Sequence, residues 1–175
     1  NFARAFEIKF LDENNQLQHC WTTSWGLSTR FIGAIIMTHG DDQGLILPPR
    51  LAPIQAVIVP IYRSDAEKSA VMEAVQAVQT QLKDLRLKVD DREGLTPGFK
   101  FNDWELKGVP LRIEIGPKDV QNGTAALSRR DIPGRDGKSF APMATLESSV
   151  PALLQTIQNN LLAKTRLFGA AQALE

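Results

Sequence analysis

The sequence predicts an α/β fold, in which an antiparallel hairpin precedes a larger layered unit of strands and helices. Residues 6–25 contain two strand-like segments separated by a polar turn. Residues 55–59 are apolar at every position after Gln55, and such a run is typical of a strand buried on both faces. A helical segment and a further strand follow this run, and such a strand–helix–strand order indicates a parallel pair of strands.

The first part of the chain is predicted to be a hairpin followed by a helix. Residues 6–11 alternate apolar and polar side chains like a half-buried strand, and residues 19–25 are rich in Trp and Thr and form the returning strand. Ser28 or Thr29 can cap a helix over residues 30–37. This helix is apolar on most sides, so we expect it to be buried.

A cluster of prolines marks the clearest boundary in the sequence. Pro48, Pro49 and Pro53 cannot continue a helix or lie in a central strand, so a new unit begins beyond them. In that unit we expect long helices over residues 65–87 and 146–168. The predicted strands cover residues 55–59, 87–89, 109–115 and 124–128.

The apolar side chains of the two long helices recur at helical spacing. The stripe of the first helix consists of Val71, Ala74, Val75, Val78, Leu82 and Leu85. The stripe of the second consists of Leu146, Val150, Leu153, Leu154, Ile157, Leu161 and Leu162. We expect Ser148 or Ser149 to cap the second helix, which places Pro151 in its first turn.

Composition excludes several classes of protein. The 175 residues include 20 basic and 20 acidic side chains, and this neutrality argues against a surface that binds phosphate everywhere. A local nucleic-acid site remains compatible with it. No apolar run reaches the ~18 residues of a membrane-spanning helix, so we expect no membrane partner. The single cysteine, Cys20, excludes a disulfide framework and a multi-cysteine zinc site, and favours a reduced, cytoplasmic setting.

Some segments contain residues that could bind a ligand or act in catalysis, and each also has a purely structural interpretation. Residues 26–30 could bind an anion between a strand and a helix, or form a glycine turn with a cap and a surface arginine. Residues 39–42 have metal-ligand side chains without a second histidine at a suitable spacing, so we expect a polar loop and no metal site. Cys20 is expected to be buried and inert.

Two further segments combine charges with aromatic or turn residues. Residues 97–110 interleave aromatic and charged side chains, which could stack bases and pair with phosphates, or form a short amphipathic helix with aromatic residues in the core. Residues 129–138 are predicted to form a basic hairpin tip, which could contact phosphate or be a solvated loop.

Longer stretches of this sequence resemble one enzyme family. Residues 20–30 and 37–50 resemble the motif 3 region of class II prolyl-tRNA synthetases, most closely those of the archaeal/eukaryote-like branch. Residues 100–119, which include W-E-L-K-G-V-P, resemble the signature of their anticodon-binding domain. Residues 1–6 resemble the segment after the family's T-S-H loop. The stretches stand in the family's order on both sides of the proline boundary.

The resemblance implies a division into three parts. Residues 1–50 would be the end of the antiparallel-sheet catalytic domain, and residues 51–145 an α/β anticodon-binding domain with a mixed sheet and flanking helices. Residues 146–175 would be a helix that connects to a further C-terminal domain. Motifs 1 and 2 of the family are absent from the sequence. We therefore expect a fragment that does not form prolyl-adenylate alone.

The family's chemistry implies roles for residues around motif 3. Arg30 matches the motif 3 arginine that lies against ATP, and Ser28 matches a hydroxyl that also contacts ATP. Ser24, Trp25 and Gly26 match the strand below the proline and adenylate pocket. The implied reaction joins proline to ATP as prolyl-adenylate and transfers it to tRNA(Pro), with Mg²⁺ ligands outside this fragment. The full-length protein is expected to be a homodimer.

In the anticodon domain the resemblance implies that Phe101, Glu105, Arg112 and Lys118 recognise the guanines of a proline anticodon. Glutamate can accept hydrogen bonds from guanine N1–H and N2–H₂, and arginine and lysine can donate to O6 and N7. A phenylalanine ring can stack on an unstacked base.

Two other functions compete with this interpretation. A non-catalytic RNA- or protein-binding module of the anticodon-binding type would have no reason to retain the motif 3 strand and helix. An ordinary metabolic α/β enzyme would leave the W-E-L-K-G-V-P stretch unexplained. The sequence therefore favours part of an aminoacylating enzyme.

Overall fold

The computed structural model describes residues 2–172 and the side chains of residues 2–169. The chain divides into two compact units, Asn1–Ile32 and Gly33–Glu175. The division falls within a helix, α2 (Arg30–His39). The domain limits predicted at residues 50 and 145 stay predictions.

The first unit contains a short helix, α1 (Phe2–Ala5), and a two-stranded hairpin. Strand β1 (Lys9–Leu11) pairs antiparallel with β2 (Leu17–His19), and both strands are shorter than predicted. The prediction of a returning strand over residues 19–25 is wrong beyond His19. A strand needs a neighbour for its N–H and C=O groups, and no described segment pairs with residues 21–27.

The apolar residues of this unit and of α2 are largely exposed. We expected the hairpin to be half-buried and α2 to be buried, but the side chains of β1 and β2 are exposed and no residue of α2 is buried. Burial needs a covering layer, which an apolar pattern does not itself supply. Cys20 is half-buried rather than buried, and its thiol donates to the carbonyl oxygen of Ile8 over 3.3 Å.

The second unit is built on a five-stranded mixed sheet, which confirms the predicted α/β class. Its strands are β3 (Ala56–Pro60), β4 (Leu87–Val89), β5 (Leu111–Ile115), β6 (Thr124–Arg129) and β7 (Lys138–Pro142). Their spatial order is β4-β3-β5-β6-β7. β3 is parallel to β4 and β5, whereas β5, β6 and β7 form an antiparallel meander.

Four further helices complete the second unit. They are α3 (Asp65–Gln81), α4 (Pro97–Leu106), α5 (Pro117–Asn122) and α6 (Leu146–Gln172). The main core joins the stripes of α3 and α6 to one face of the sheet, where Leu111, Ile113 and Ile115 are fully buried. A smaller core on the other face joins Trp104 of α4 to Val57. None of the described helices is long and apolar enough to cross a membrane.

Three details of the long helices differ from the predictions. α3 ends at Gln81, six residues early, because Leu82 leaves the helical conformation at φ −101° and ψ 22°. α6 begins directly after a 3₁₀ turn over Met143–Thr145, so Pro151 is its sixth residue and not part of its first turn. Leu162 is exposed because it lies about 100° around the helix from buried Leu161.

Candidate nucleic-acid interface

One face of the meander carries polar side chains, and we call it the polar sheet face. Side chains alternate along a strand, so the face opposite the main core receives every second residue of β5, β6 and β7. The registers arrange these residues in two rows, Arg112–Ser128–Lys138 and Glu114–Ala126–Phe140. The predicted hairpin over residues 129–138 is the β6–β7 connection, with a 3₁₀ turn at Gly134–Gly137.

Glu114 is the centre of the polar sheet face. Its Oε1 accepts hydrogen bonds from Arg112 Nε over 3.0 Å and from Ser128 Oγ over 3.1 Å. Its Oε2 accepts from Lys138 Nζ over 2.7 Å. Burial by itself would raise the pKa of Glu114, but the bond to Lys138 and the nearby charge of Arg112 outweigh it and lower the pKa. Glu114 is therefore ionised at neutral pH.

Arg112 joins this face to α4. Its Nη1 donates to Glu105 Oε1 over 2.7 Å, and its guanidinium carbon lies 4.1 Å from the centroid of the Phe101 ring. Phe101 and Glu105 are four residues apart on α4, so they lie on one side of the helix. The structure thus brings together three of the four residues predicted to recognise the anticodon: Phe101, Glu105 and Arg112.

Lys118 lies apart from this cluster. It is exposed on α5, which follows the carboxyl end of β5, whereas Arg112 is near the start of that strand. At about 3.3 Å per residue, Arg112 is about 13 Å from Gly116, where β5 has ended. The hydrogen bonds found among the described residues do not connect Lys118 to Phe101 or Glu105.

Sequence reasoning missed Glu114 and Ser128, and it included Lys138 only as part of a basic hairpin tip. The signal for Glu114 was present, because Arg112 and Glu114 are the polar residues of an alternating strand. That Ser128 and Lys138 meet Glu114 could be found only from the pairing registers of β5, β6 and β7.

A buried network fixes α4 on the sheet. Asp90 follows β4 and is only 2% exposed. Its carboxylate accepts from Trp104 Nε1 over 2.7 Å and from Arg92 Nε and Nη2 over 2.8 and 2.7 Å. Its carbonyl oxygen accepts from Lys100 Nζ over 3.1 Å. The bonds from Arg92 hold the pKa of Asp90 well below its usual range. Trp104 is buried in the second core, as the plainer interpretation of residues 97–110 predicted.

A cleft of about 260 Å³ opens beside Glu105 and Arg112. Arg130 lines it and is itself buried, although a solvated basic loop was the expectation for this segment. Its guanidinium donates to both oxygens of Asp41 over 2.8 and 2.5 Å, and its Nε donates to the carbonyl oxygen of Glu105 over 3.0 Å. The bond from Arg130 lowers the pKa of Asp41. Gln43 lies on the rim of the same cleft.

The residues predicted to contact ATP and proline lie in the first unit. Ser28 Oγ accepts from the backbone N–H of Arg30, the first residue of α2, over 3.3 Å. Arg30 and Ser28 are exposed, and Ser24, Trp25 and Gly26 are exposed in a segment without regular structure. Their roles at ATP and proline stay predictions.

The described residues contain no group of three or more His, Cys, Asp or Glu side chains arranged to hold a metal ion. In the segment with metal-ligand residue types, Asp41 is bonded to Arg130. Burial and the charge of Lys164 lower the pKa of His39. These residues do not fit a Mg²⁺ site.

Residues 55–142 match the family model described as "Anticodon binding domain". The chain is 62% identical over 169 residues to the proline–tRNA ligase of Roseiflexus castenholzii, covering 96% of this chain and 35% of that protein. It is 53% identical to the chloroplastic/mitochondrial proline–tRNA ligase of Arabidopsis thaliana, covering 96% of this chain and 32% of that protein. The chain therefore spans about a third of the length of these relatives.

The fold is also found in a solved structure. The crystal structure of prolyl-tRNA synthetase from Cryptosporidium parvum, complexed with L-proline and AMP, matches with a TM-score of 0.86 and 42% sequence identity. This match covers 95% of the present chain and 36% of that protein.

Proposed function

This chain belongs to the anticodon-binding domain family, and we propose that it binds the anticodon loop of tRNA(Pro) as part of a proline–tRNA ligase. The observation that carries the proposal is the setting of Arg112, which lies over Phe101 and bonds to Glu105 and Glu114. Both signs of charge are fixed side by side at an open cleft. Recognition of a base edge by hydrogen bonds needs such donors and acceptors together.

The chemistry of this cluster suits guanine. Arg112 uses Nε and Nη1 for its carboxylate partners, and a guanidinium has five N–H donors, so others are left to donate to guanine O6 and N7. Glu105 binds Arg112 through Oε1, and its second oxygen can accept from guanine N1–H and N2–H₂. Phe101 supports the plane of the guanidinium and leaves less of its own ring for a base.

Lys118 is proposed as a separate contact. Its exposed ammonium lies beyond the other end of β5, so it reaches a different part of the loop from Arg112. An ammonium can donate to O6 and N7 of a second guanine. Substitution of Lys118 should then weaken the binding of tRNA(Pro) more than the binding of an unrelated tRNA. If Lys118 contacts only phosphate, its loss should weaken the binding of both equally.

The relatives support a proposal for the activity of the whole protein. We propose that it forms prolyl-adenylate from proline and ATP with Mg²⁺, transfers proline to tRNA(Pro), and acts as a homodimer in the cytoplasm. Arg30 and Ser28 would contact ATP, and Ser24, Trp25 and Gly26 would line the proline pocket. The support is the identity of 62% to a proline–tRNA ligase over a segment that includes these five residues. The chain by itself is expected to be inactive in ATP–pyrophosphate exchange.

The binding proposal is tested with an anticodon stem–loop RNA of tRNA(Pro) and the 175-residue chain at fixed salt. Fluorescence anisotropy gives the Kd for wild type and for Arg112→Ala, Glu105→Ala and Lys118→Ala. Loss of a bidentate base contact is worth about 1–3 kcal/mol, so Arg112→Ala should weaken binding at least several-fold. Lys83→Ala removes an exposed lysine from another part of the second unit and should bind as wild type does.

A base analogue makes the test specific. Inosine lacks the N2 amino group of guanine, so wild type should bind inosine-substituted loops more weakly than guanine loops. Glu105→Ala should lose this preference, because the acceptor for that amino group is gone. Wild-type affinity in Arg112→Ala, together with an unchanged guanine preference in Glu105→Ala, would overturn the assignment.

A further inference from the structure

A second aromatic side chain stands on the polar sheet face, outside the set that the resemblance implies. Phe140 lies on β7, two residues from Lys138, and its ring is 67% exposed. Its neighbour across the ladder is Ala126, which has the smallest side chain on this face. Phe140 is not a member of either apolar core of the second unit.

The position of Phe140 continues the Arg112 cluster. Glu114 bonds to Arg112 on one side and to Lys138 on the other, and Lys138 Nζ lies 5.9 Å from the centroid of the Phe140 ring. Successive contacts through Arg112, Glu114 and Lys138 therefore connect Phe101 to Phe140. The charges along this connection alternate in sign, and its two ends are aromatic rings.

The rings of Phe101 and Phe140 differ in how much of each ring is exposed. Arg112 covers Phe101, which is half-buried against the second core, so little of that ring is free to stack. Phe140 keeps most of its ring exposed next to a lysine that can pair with a phosphate. Open aromatic rings beside basic groups are the common stacking sites for single-stranded nucleic acid.

We propose that Phe140 stacks on an unpaired nucleobase of the anticodon loop, a different base from the one that Arg112 recognises. The inference rests on the proposed function. Arg112 and Phe140 are two inter-strand spacings apart across the sheet, with β6 between them, and two residues apart along it, which gives roughly 12 Å between their Cα atoms at ordinary strand spacing. The guanidinium of Arg112 is directed to Glu105 and Phe101 of α4, which packs on β3, whereas Phe140 stands on β7, on the other side of β5. The two side chains therefore face different bases.

The test uses the same stem–loop with the fluorescent base 2-aminopurine placed at each unpaired loop position in turn. Stacking on an aromatic ring changes the fluorescence of this base, so the signal reports stacking and not merely binding. With wild type, one loop position should change fluorescence on binding, and Phe140→Ala should abolish that change. Its Kd should rise roughly 5- to 140-fold, since stacking is worth about 1–3 kcal/mol per base and 1.4 kcal/mol is tenfold.

Further variants separate stacking from other roles of the ring. Phe140→Trp keeps a large π-face and should retain both the affinity and the fluorescence change, whereas Phe140→Leu keeps only the apolar bulk and should lose both. Phe168, on α6, is 68% exposed and gives a matched control, because Phe168→Ala removes an equally exposed ring outside this face. It should bind as wild type does.

Two results would overturn the inference in distinguishable ways. If Phe140→Ala binds within twofold of wild type with every 2-aminopurine signal unchanged, while Arg112→Ala is weakened, the base-recognition proposal stands and the stacking proposal falls. If the wild-type chain does not bind the stem–loop, both proposals fall.

Discussion

Replacing Asp90 by alanine should be among the most destabilising single changes in the second unit. The carboxylate is 2% exposed and accepts three side-chain hydrogen bonds, one from Trp104 and two from Arg92. Alanine leaves these donors without their acceptor. Lys100 keeps its bond to the backbone carbonyl of residue 90, but its buried Nζ loses the carboxylate oxygen that lies 4.0 Å away.

The decrease in the free energy of unfolding depends on whether each donor can be hydrated or can keep another acceptor. The Arg92 side chain is 40% exposed and keeps its 2.8 Å bond to Asp103, so much of its charge can be rehydrated. The Trp104 N–H is buried and cannot be rehydrated. Leaving this donor without an acceptor costs about 1–3 kcal/mol. Together with the lost charge-assisted bonds, we expect a decrease in the free energy of unfolding of about 3–5 kcal/mol.

Urea unfolding followed by tryptophan fluorescence measures this change directly. The chain has three tryptophans, and Trp21 and Trp25 are already exposed, so the change in signal on unfolding reports buried Trp104. Asp91→Ala, which removes the exposed neighbouring carboxylate, is the control and should change the free energy of unfolding by less than about 0.5 kcal/mol. A decrease below about 1 kcal/mol for Asp90→Ala would refute the reasoning.

Two further predictions concern backbone conformation and acid stability. Gly44 has φ +125°, and a Cβ there would lie 2.6 Å from the carbonyl oxygen of Leu106, so Gly44→Ala should destabilise by about 3 kcal/mol. Gly94→Ala, at φ +75° with open space around it, should cost only about 1 kcal/mol in the same urea assay; equal losses would contradict the clash. The pKa values of Asp90 and Glu114 are lowered by folding, so their stabilisation is complete above the unfolded values near pH 4 and is lost as pH falls below them. Urea midpoints between pH 7 and pH 3 should show this decrease, and Asp90→Asn should show a smaller one; an identical decrease would exclude Asp90 as its source.

Local sequence patterns correctly predicted those elements that are buried by other elements of the second unit. The apolar run at residues 55–59 became central strand β3, and the stripe with Val71 and Val75 became the buried side of α3. The hairpin and α2 formed near their predicted positions, but their burial was predicted wrongly. A pattern shows which face is apolar, whereas burial depends on a covering layer that the pattern does not describe.

The site was only partly predictable for a related reason. Phe101 and Glu105 share a helix, so their spacing of four was enough to place them together. Glu114 and Lys138 meet only because β6 and β7 pair in a particular register, which no short segment encodes. α5 was missed although Pro117 at its start and Gly123 at its end are ordinary helix signals, because six residues are too few for a periodic pattern.

The strand order also sets different loop-closure costs for the two halves of the sheet. Strands β5, β6 and β7 pair with their neighbours along the chain, whereas β3 reaches β5 by pairing position 56 with position 111, a separation of 55. Closing that longer loop costs more chain entropy and slows assembly. The polar sheet face lies wholly on the meander, so its backbone can assemble before the parallel half of the sheet. Docking of α4, which supplies Phe101 and Glu105, then depends on the slower half, because Asp90 lies at the end of β4.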